Sequence, residues 1–332
     1  MQYELLKNIF LENNSFLITT HVNPDADAIG SEMALYFLLK KLGKKAFIIN
    51  TSKTPYYLEF MDLENVIQYF DEEKHQSIFT EVDVLVVLDF NKAQRMVRME
   101  EFFRKSNKLK ICIDHHEEPE QFIDHLFYDT SFAATGQIIY QFIKETSIIA
   151  IDLPIAEQLY AAIMTDTGSF RFDRTTAHIH TIAADLLTIG VKPNEVYTKI
   201  YDTSRFGKIK LLGEAIQSLT LYGDHQEIGL MTITQKTMLQ LGADEADTDG
   251  FVNICLSIDS VKVAMKFLEL NDGFKVSLRS KGKINVQKIA AEFGGGGHRN
   301  ACGIRFKRKD MYEFIPILVA RMNGYLNESG EL

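Results

Sequence analysis

Residues 21–31 read His-Val-Asn-Pro-Asp-Ala-Asp-Ala-Ile-Gly-Ser. One imidazole, His21, and two carboxylates, Asp25 and Asp27, fall within seven positions. Carboxylate oxygen suits hard divalent cations, and Mn2+ accepts imidazole as well. Pro24 stiffens the turn, and either Asp would serve as a helix cap. Capping explains one carboxylate but not three ligand-type residues so close together, so the stretch points to a metal. Further donors follow along the chain: Asp89, then Asp114-His115-His116, then Asp166 at the head of Asp-Thr-Gly-Ser-Phe. Each alone is weak, because an Asp after a strand is more often a cap or turn residue. Together they match the number of ligands that two metals sharing a carboxylate require.

The elements that must position these groups are legible from hydrophobic pattern. Phe16-Leu17-Ile18-Thr19-Thr20 reads as a buried strand. A helical pattern through Ala34, Leu35, Phe37, Leu38 and Leu39 follows and ends at Gly43. Residues 44–50 read as a second strand. Residues 82–90 form a continuous β-branched and leucine run that ends in Asp89, and 110–113 a shorter one that ends in Asp114. Helical patterns lie at 133–145, 154–165 and 176–189. Alternating strands and helices predict an α/β fold with a doubly wound, mainly parallel sheet. In such a sheet the carboxyl ends of the strands share one edge, so distant residues converge on one cleft.

Residues 193–222 read as one or two helices, with Gly207, Gly213 and Gly223 as breaks. From residue 226 a smaller α+β unit is expected, with strands at 227–233, 261–269, 273–280 and 301–306. Helices are expected there at 235–241, 249–257, 286–292 and 310–326. The expected organisation is a metal-binding catalytic domain over 1–192, a helical connector over 193–225 and a substrate-binding domain over 226–332.

The chain has 332 residues, 46% of them hydrophobic and 11% aromatic, ample for two packed cores. No apolar run has membrane-spanning length, and the N-terminal residues lack a basic region followed by an apolar signal core. A cytoplasmic protein is expected. Three scattered cysteines, Cys112, Cys255 and Cys302, form no CxxC pair and read as small buried side chains. The net charge of −9 argues against a protein that grips long nucleic acid by its backbone. The average conceals an asymmetry. Residues 260–309 carry twelve Lys or Arg against three acids, a charge of +9, so the remainder carries −18. That division suits a small anionic ligand held by one domain while metals sit in the other.

The motifs H-x-x-P-D-x-D-x-x-G-S, a strand-terminal Asp, Asp-His-His and D-T-G-x-F together resemble the DHH phosphoesterase superfamily. The run Gly295-Gly296-Gly297-His298-x-x-Ala301-x-Gly303 is similar to its associated C-terminal domain. The resemblance covers nearly the whole chain, and the length and layout are similar to the stand-alone nanoRNases, which also act on 3′-phosphoadenosine 5′-phosphate. It implies two Mn2+ ions, with Mg2+ or Co2+ as substitutes. His21, Asp25 and Asp89 would hold one ion. Asp27, Asp89, His115 and Asp166 would hold the other. His116 would face the scissile phosphate, and Asp114 would orient a neighbouring imidazole. One extra glycine, Gly294, leaves the register of the glycine run open.

The glycine run also has a reading of its own. Residues without Cβ let backbone N–H groups approach an anion. It is not a nucleoside-triphosphate loop, since no Gly-Lys-Ser/Thr follows. Arg279, next to Ser280 in the same basic segment, would fork onto a phosphate. The resemblance supports Arg279 and His298 as substrate-binding, with Ser280, Gly295, Gly296 and Gly297 beside them.

The chemistry expected is hydrolysis of a phosphoester by metal-activated water, with short RNA or DNA oligonucleotides or small nucleotides as substrates. No membrane partner is expected, and a homodimer is allowed. A cyclic di-adenylate or linear dinucleotide phosphodiesterase shares the plan and is the nearest rival. A pyrophosphatase is disfavoured by the glycine-His motif, and a long-strand exonuclease by the acidic net charge. A non-catalytic nucleotide sensor would be expected to lack a metal ligand, and none is missing.

Overall fold

The computed structural model describes residues 1–329. The chain divides into two compact units, Met1–Thr203 and a second from Ser204 onward. The helices expected as a connector fall one in each unit: Pro193–Tyr201 in the first, Phe206–Gln217 in the second.

The first unit is built on six parallel strands: β1 (Ser15–Thr19), β2 (Lys45–Asn50), β3 (Ile67–Tyr69), β4 (Val84–Leu88), β5 (Leu109–Asp114) and β6 (His125–Tyr128). Their order across the sheet is β3-β2-β1-β4-β5-β6. The order reverses between β1 and β4, the switch point where open α/β sheets bind ligands. β1 leads to His21 and β4 leads to Asp89. Thr19 lies level with Val87, and Leu88 with Ile113, so three strand ends bearing candidate donors are adjacent. Every residue of β4 is buried, as its unbroken apolar run predicts.

Helix Ala26–Lys41 starts on Asp25, whose carboxylate caps the N–H groups of Asp27 and Ala28 at 3.1 and 3.0 Å. This helix packs on helix Leu153–Asp166 so closely that a Cβ on Gly30 would lie 2.6 Å from the Gln158 carbonyl oxygen. The glycine of the first motif is therefore a packing requirement. It brings the helix that carries Asp27 in its first turn against the helix that ends at Asp166.

The second unit is a mixed sheet of β7 (Thr220–Tyr222), β8 (Ile228–Ile233), β9 (Val263–Leu270), β10 (Gly273–Ser280), β11 (Gly296–His298) and β12 (Ala301–Lys307). The order is β11-β12-β10-β9-β8-β7, with only β8 and β9 parallel. Helices Val286–Glu292 and Met311–Ser329 cover one face through a core that includes Met265, Phe267, Phe274 and Leu318. Helices Phe206–Gln217, Gln235–Leu241 and Phe251–Leu256 cover part of the other through Leu211, Met238 and Cys255. The three cysteines are buried and free, as read from their spacing.

Helix Tyr3–Glu12 and the short strands β3, β6 and β7 were not legible in the pattern, being terminal or only three or four residues long. The glycine run also differs from an open cradle. Gly296–His298 pair with Ala301–Gly303 as a sheet edge. The N–H groups of Gly294 and Gly295 go to the carbonyls of Ala291 and Ala290. A Cβ on Gly295 would meet the Gly303 carbonyl at 2.4 Å, so strand packing demands that glycine.

Candidate metal centre

The donors named from sequence in the first unit converge at the carboxyl edge of the parallel sheet. Asp89 joins Asp114 and His116 in one set, and two further sets form, each with donor atoms mutually within 4.8 Å: His21, Asp25 and Asp89, and Asp27, His115 and Asp166. Asp89 stands between them. Its Oδ2 faces His21 Nε2 and its Oδ1 faces His115 Nε2, both at 3.4 Å. Asp25 Oδ2 lies 3.9 Å from His21 Nε2 while its other oxygen caps the helix. His115 Nε2 also faces Asp166 Oδ2 at 3.4 Å and Asp27 Oδ2 at 3.7 Å.

Local structure aims these atoms. Asp89 directly follows β4 with φ +64°, a left-handed value that costs about 1–2 kcal/mol for a residue with Cβ. The Nδ1 of His21 faces the Val22 carbonyl at 3.0 Å, and that of His115 faces the Phe132 carbonyl at 3.3 Å. Donation from Nδ1 directs each Nε2 at the carboxylates, where it donates to Asp89 and would become the ligating nitrogen on giving up that proton to a cation. His116 is turned the other way. Its Nδ1 donates to Asp114 Oδ1 at 2.7 Å and lies 3.8 Å from Asp89 Oδ1, so that nitrogen is engaged by Asp114. The pair His115 and His116 thus follows the alternation of a strand end.

Two residues that hold the centre together went unnoticed in the sequence. Thr135 and Gly136 open helix Thr135–Thr146, and their N–H groups donate to the two oxygens of Asp27 at 2.7 and 2.8 Å. The Thr135 hydroxyl donates to Asp89 Oδ1 at 2.9 Å. A carboxylate seated on a helix N-terminus is electrostatically favoured. The usable signal was a Thr-Gly pair at a helix start. Ser31, the last residue of the first motif, donates to Asp27 Oδ1 at 3.2 Å.

The electrostatics are those of crowded carboxylates. Burial, with repulsion from Asp89 and Asp166, pushes Asp27 well above the usual carboxylate range. Burial and Asp25 do the same to Asp166. Burial alone would raise Asp89 too, but its hydrogen bonds with His115 and His21 hold it well below that range. Burial lowers and the Asp89 hydrogen bond raises the imidazole of His115, which settles at about 9. Oxygen and imidazole donors around one shared carboxylate fit hard or borderline divalent cations, whose charge would relieve this repulsion.

In the second unit, Arg279 lies on the half-exposed face of β10 with Lys275 and Ser277, level with Ala264 on β9 and Ala301 on β12. Its Nη1 donates to the Leu278 carbonyl at 2.9 Å. Ser280 is set apart from it. Alternation places Ser280 on the opposite, buried face, where its hydroxyl donates to the Ile284 carbonyl at 2.7 Å and accepts from Asn300 at 2.9 Å. His298 ends the edge strand β11, and its carbonyl accepts from the Cys302 thiol at 2.8 Å.

Residues 15–164 match the model of the DHH family, N-terminal domain, and residues 231–327 match that of the DHHA1 domain. A Thermus thermophilus protein named bifunctional oligoribonuclease and PAP phosphatase NrnA is 33% identical, over 95% of this chain and 91% of its own length. The Bacillus subtilis protein of the same name is 27% identical over 91% of this chain and 92% of its own. Among solved structures, an exopolyphosphatase-related protein from Bacteroides fragilis superposes with a TM-score of 0.89 at 30% identity, covering 98% of this chain and 97% of that one. RecJ of Thermus thermophilus in complex with Mn2+ shares the fold alone, with a TM-score of 0.53 at 11% identity over 98% of this chain and 54% of RecJ.

Proposed function

This chain belongs to the DHH phosphoesterase family, and from that premise we propose that it hydrolyses short oligoribonucleotides and 3′-phosphoadenosine 5′-phosphate with two Mn2+ ions. The observation that carries the metal count is Asp89, one carboxylate whose separate oxygens face two donor sets. His21, Asp25 and Asp89 would hold one ion, and Asp27, Asp89, His115 and Asp166 the other. Mg2+ or Co2+ would substitute. Bound there, the pair supplies a water of lowered pKa and charge for a phosphate in displacement.

The chain's own residues do the rest. Nδ1 donation fixes His21 and His115 with Nε2 toward the centre. Thr135 and Gly136 keep Asp27 oriented. His116, with its proton on Nδ1 against Asp114, is the group we assign to the scissile phosphate rather than to a metal. No serine or cysteine nucleophile is required. In the second unit, Arg279 on the face of β10 and His298 at the end of the edge strand take the non-reacting phosphate or base of the substrate, with Gly295, Gly296 and Gly297 beside His298. Ser280 acts there by holding the turn to Ile284. The names of the T. thermophilus and B. subtilis relatives support the substrate assignment. We place the enzyme in the cytoplasm. Its three cysteines are free and buried, as a reducing compartment permits, and among the described residues no helix is long and apolar enough to cross a membrane.

The test is a substrate panel with Mn2+: RNA of two to five nucleotides, 3′-phosphoadenosine 5′-phosphate, cyclic di-adenylate, pyrophosphate and a long single strand. Turnover should be greatest on the first two and should vanish with chelator. Preference for cyclic di-adenylate would move the assignment to a dinucleotide phosphodiesterase. Tight nucleotide binding without turnover in any metal would make the protein a sensor.

A further inference from the structure

Arg95 played no part in the sequence argument, yet it sits beside the metal centre. Four residues after Asp89 a 3-10 stretch begins, Ala93–Met99, which carries Arg95. The Arg95 carbonyl accepts the Val22 N–H at 2.9 Å, which ties this stretch to the loop bearing His21, Asp25 and Asp27. Asp89, Asp25 and Asp114 are near enough for their charge to act on the guanidinium. None of them pairs with it at hydrogen-bonding distance. Its Nε is fully enclosed and has no hydrogen-bond partner among the described residues.

Neighbouring cations behave differently. Arg98 donates to the Phe70 carbonyl at 3.2 Å and lies over the Tyr69 ring. Lys92 pairs with Glu118. Of these three, Arg95 alone has an enclosed side-chain nitrogen with no hydrogen-bond partner among the described residues. A buried guanidinium donor without an acceptor is costly, so its persistence asks for an acceptor that binds there. The three neighbouring carboxylates are two members of one donor set (Asp25 and Asp89) and the partner of His116 (Asp114). A guanidinium beside such groups is suited to a phosphate oxygen, which it can fork onto.

We propose that Arg95 is a further catalytic residue, whose guanidinium donates to a non-bridging oxygen of the scissile phosphate. The inference rests on the phosphoesterase reading above. Its contribution grows as charge builds on the phosphate oxygens during displacement. The backbone tether to Val22 does not depend on the side chain, so replacing Arg95 leaves the loop anchored.

The experiment measures Mn2+ content and the affinity of the Mn2+-loaded protein for inorganic phosphate by calorimetry. It compares wild type, Arg95→Gln and Arg95→Lys. Arg95→Gln should keep full Mn2+ content and lose phosphate affinity by about tenfold or more, as expected for a lost charge-assisted hydrogen bond. Arg95→Lys should recover only part of it, because the fork is lost. kcat on a short oligonucleotide should fall with little change in KM. Phosphate affinity within twofold of wild type in a fully Mn2+-loaded Arg95→Gln protein overturns the assignment, as does loss of a metal equivalent, which would make Arg95 a structural counter-charge. A wild-type protein that takes up no Mn2+ overturns the metal reading itself and this inference with it.

Discussion

The two sheets present their polar groups in opposite ways. In the first unit the candidate donors gather at an edge, at the carboxyl ends of β1, β4 and β5. In the second the basic residues stand on a face, at alternate positions of β10. Strand direction accounts for the difference. All ends of a parallel sheet with the same polarity line one edge, whereas antiparallel neighbours alternate, so only the period-two face collects like residues. The buried charges mirror each other too. In the first unit burial pushes Glu32 up to about 8, although Asn50 donates to it at 2.8 Å. In the second unit burial pulls Lys266 down to about 7, although Thr248 accepts from it through both carbonyl and hydroxyl at 2.7 Å. The contrast teaches that a parallel sheet gathers acidic donors at one edge, whereas a mainly antiparallel one spaces its basic residues along a face.

The sharpest way to break that comparison is at Asp89. If one carboxylate joins both donor sets, Asp89→Asn should lower kcat on the order of a thousandfold, or about 4 kcal/mol, at saturating Mn2+. Metal analysis should show loss of at least one equivalent in a protein with an intact far-ultraviolet spectrum. A folded variant with most of its activity would remove the shared carboxylate from the account.

His116 tests whether the edge is ligand throughout. His116→Ala should lower the rate by about a hundredfold or more, within the range of a positioned acid–base group, while Mn2+ content stays at the wild-type level. Loss of one metal equivalent would instead make His116 a ligand and end the division of labour with His115.

Arg279 carries the same question to the basic face. Arg279→Ala should weaken turnover of short nucleotides by roughly ten- to a hundredfold, the effect of one lost charged hydrogen bond. Hydrolysis of a p-nitrophenyl phosphate ester, which lacks the remote group, should barely change. Equal losses on both substrates would reduce the second unit to a structural role.

The smallest effect separates the two buried charges by pH. The folded pKa of Glu32 is raised from 4.5, so its stabilisation is complete below that pH and is lost as pH rises through about 8. The folded pKa of Lys266 is lowered from 10.5, so its stabilisation is complete above that pH and is lost as pH falls through about 7. Glu32→Gln should therefore raise the thermal midpoint by a few degrees relative to wild type at pH 8.5 more than at pH 5. Lys266→Met should do so at pH 6.5 more than at pH 9.5. Parallel pH profiles for the two variants would show that the opposed charge environments do not govern stability.

Much of this molecule was decided locally, and so was legible along the chain. The apolar run of β4, the Asp25 cap and the helical period after it need only neighbours within a few residues, and β10 alternates as its sequence does. The donor types at 21, 25, 27, 89, 114–116 and 166 were likewise in plain view, because a strand end is marked by where its apolar run stops. What remained for the tertiary structure is atomic pairing through space. Strand order alone set β1 beside β4 and gave each oxygen of Asp89 its own imidazole. The helix that begins at Thr135 reached Asp27, 108 residues earlier in the chain, only by packing. The segment after Asp89 tied the Arg95 backbone to Val22, and strand spacing made part of the glycine run a sheet edge. Periodicity encodes which face of an element is buried, but register and crossing decide which atoms meet, and those depend on partners that no single stretch contains.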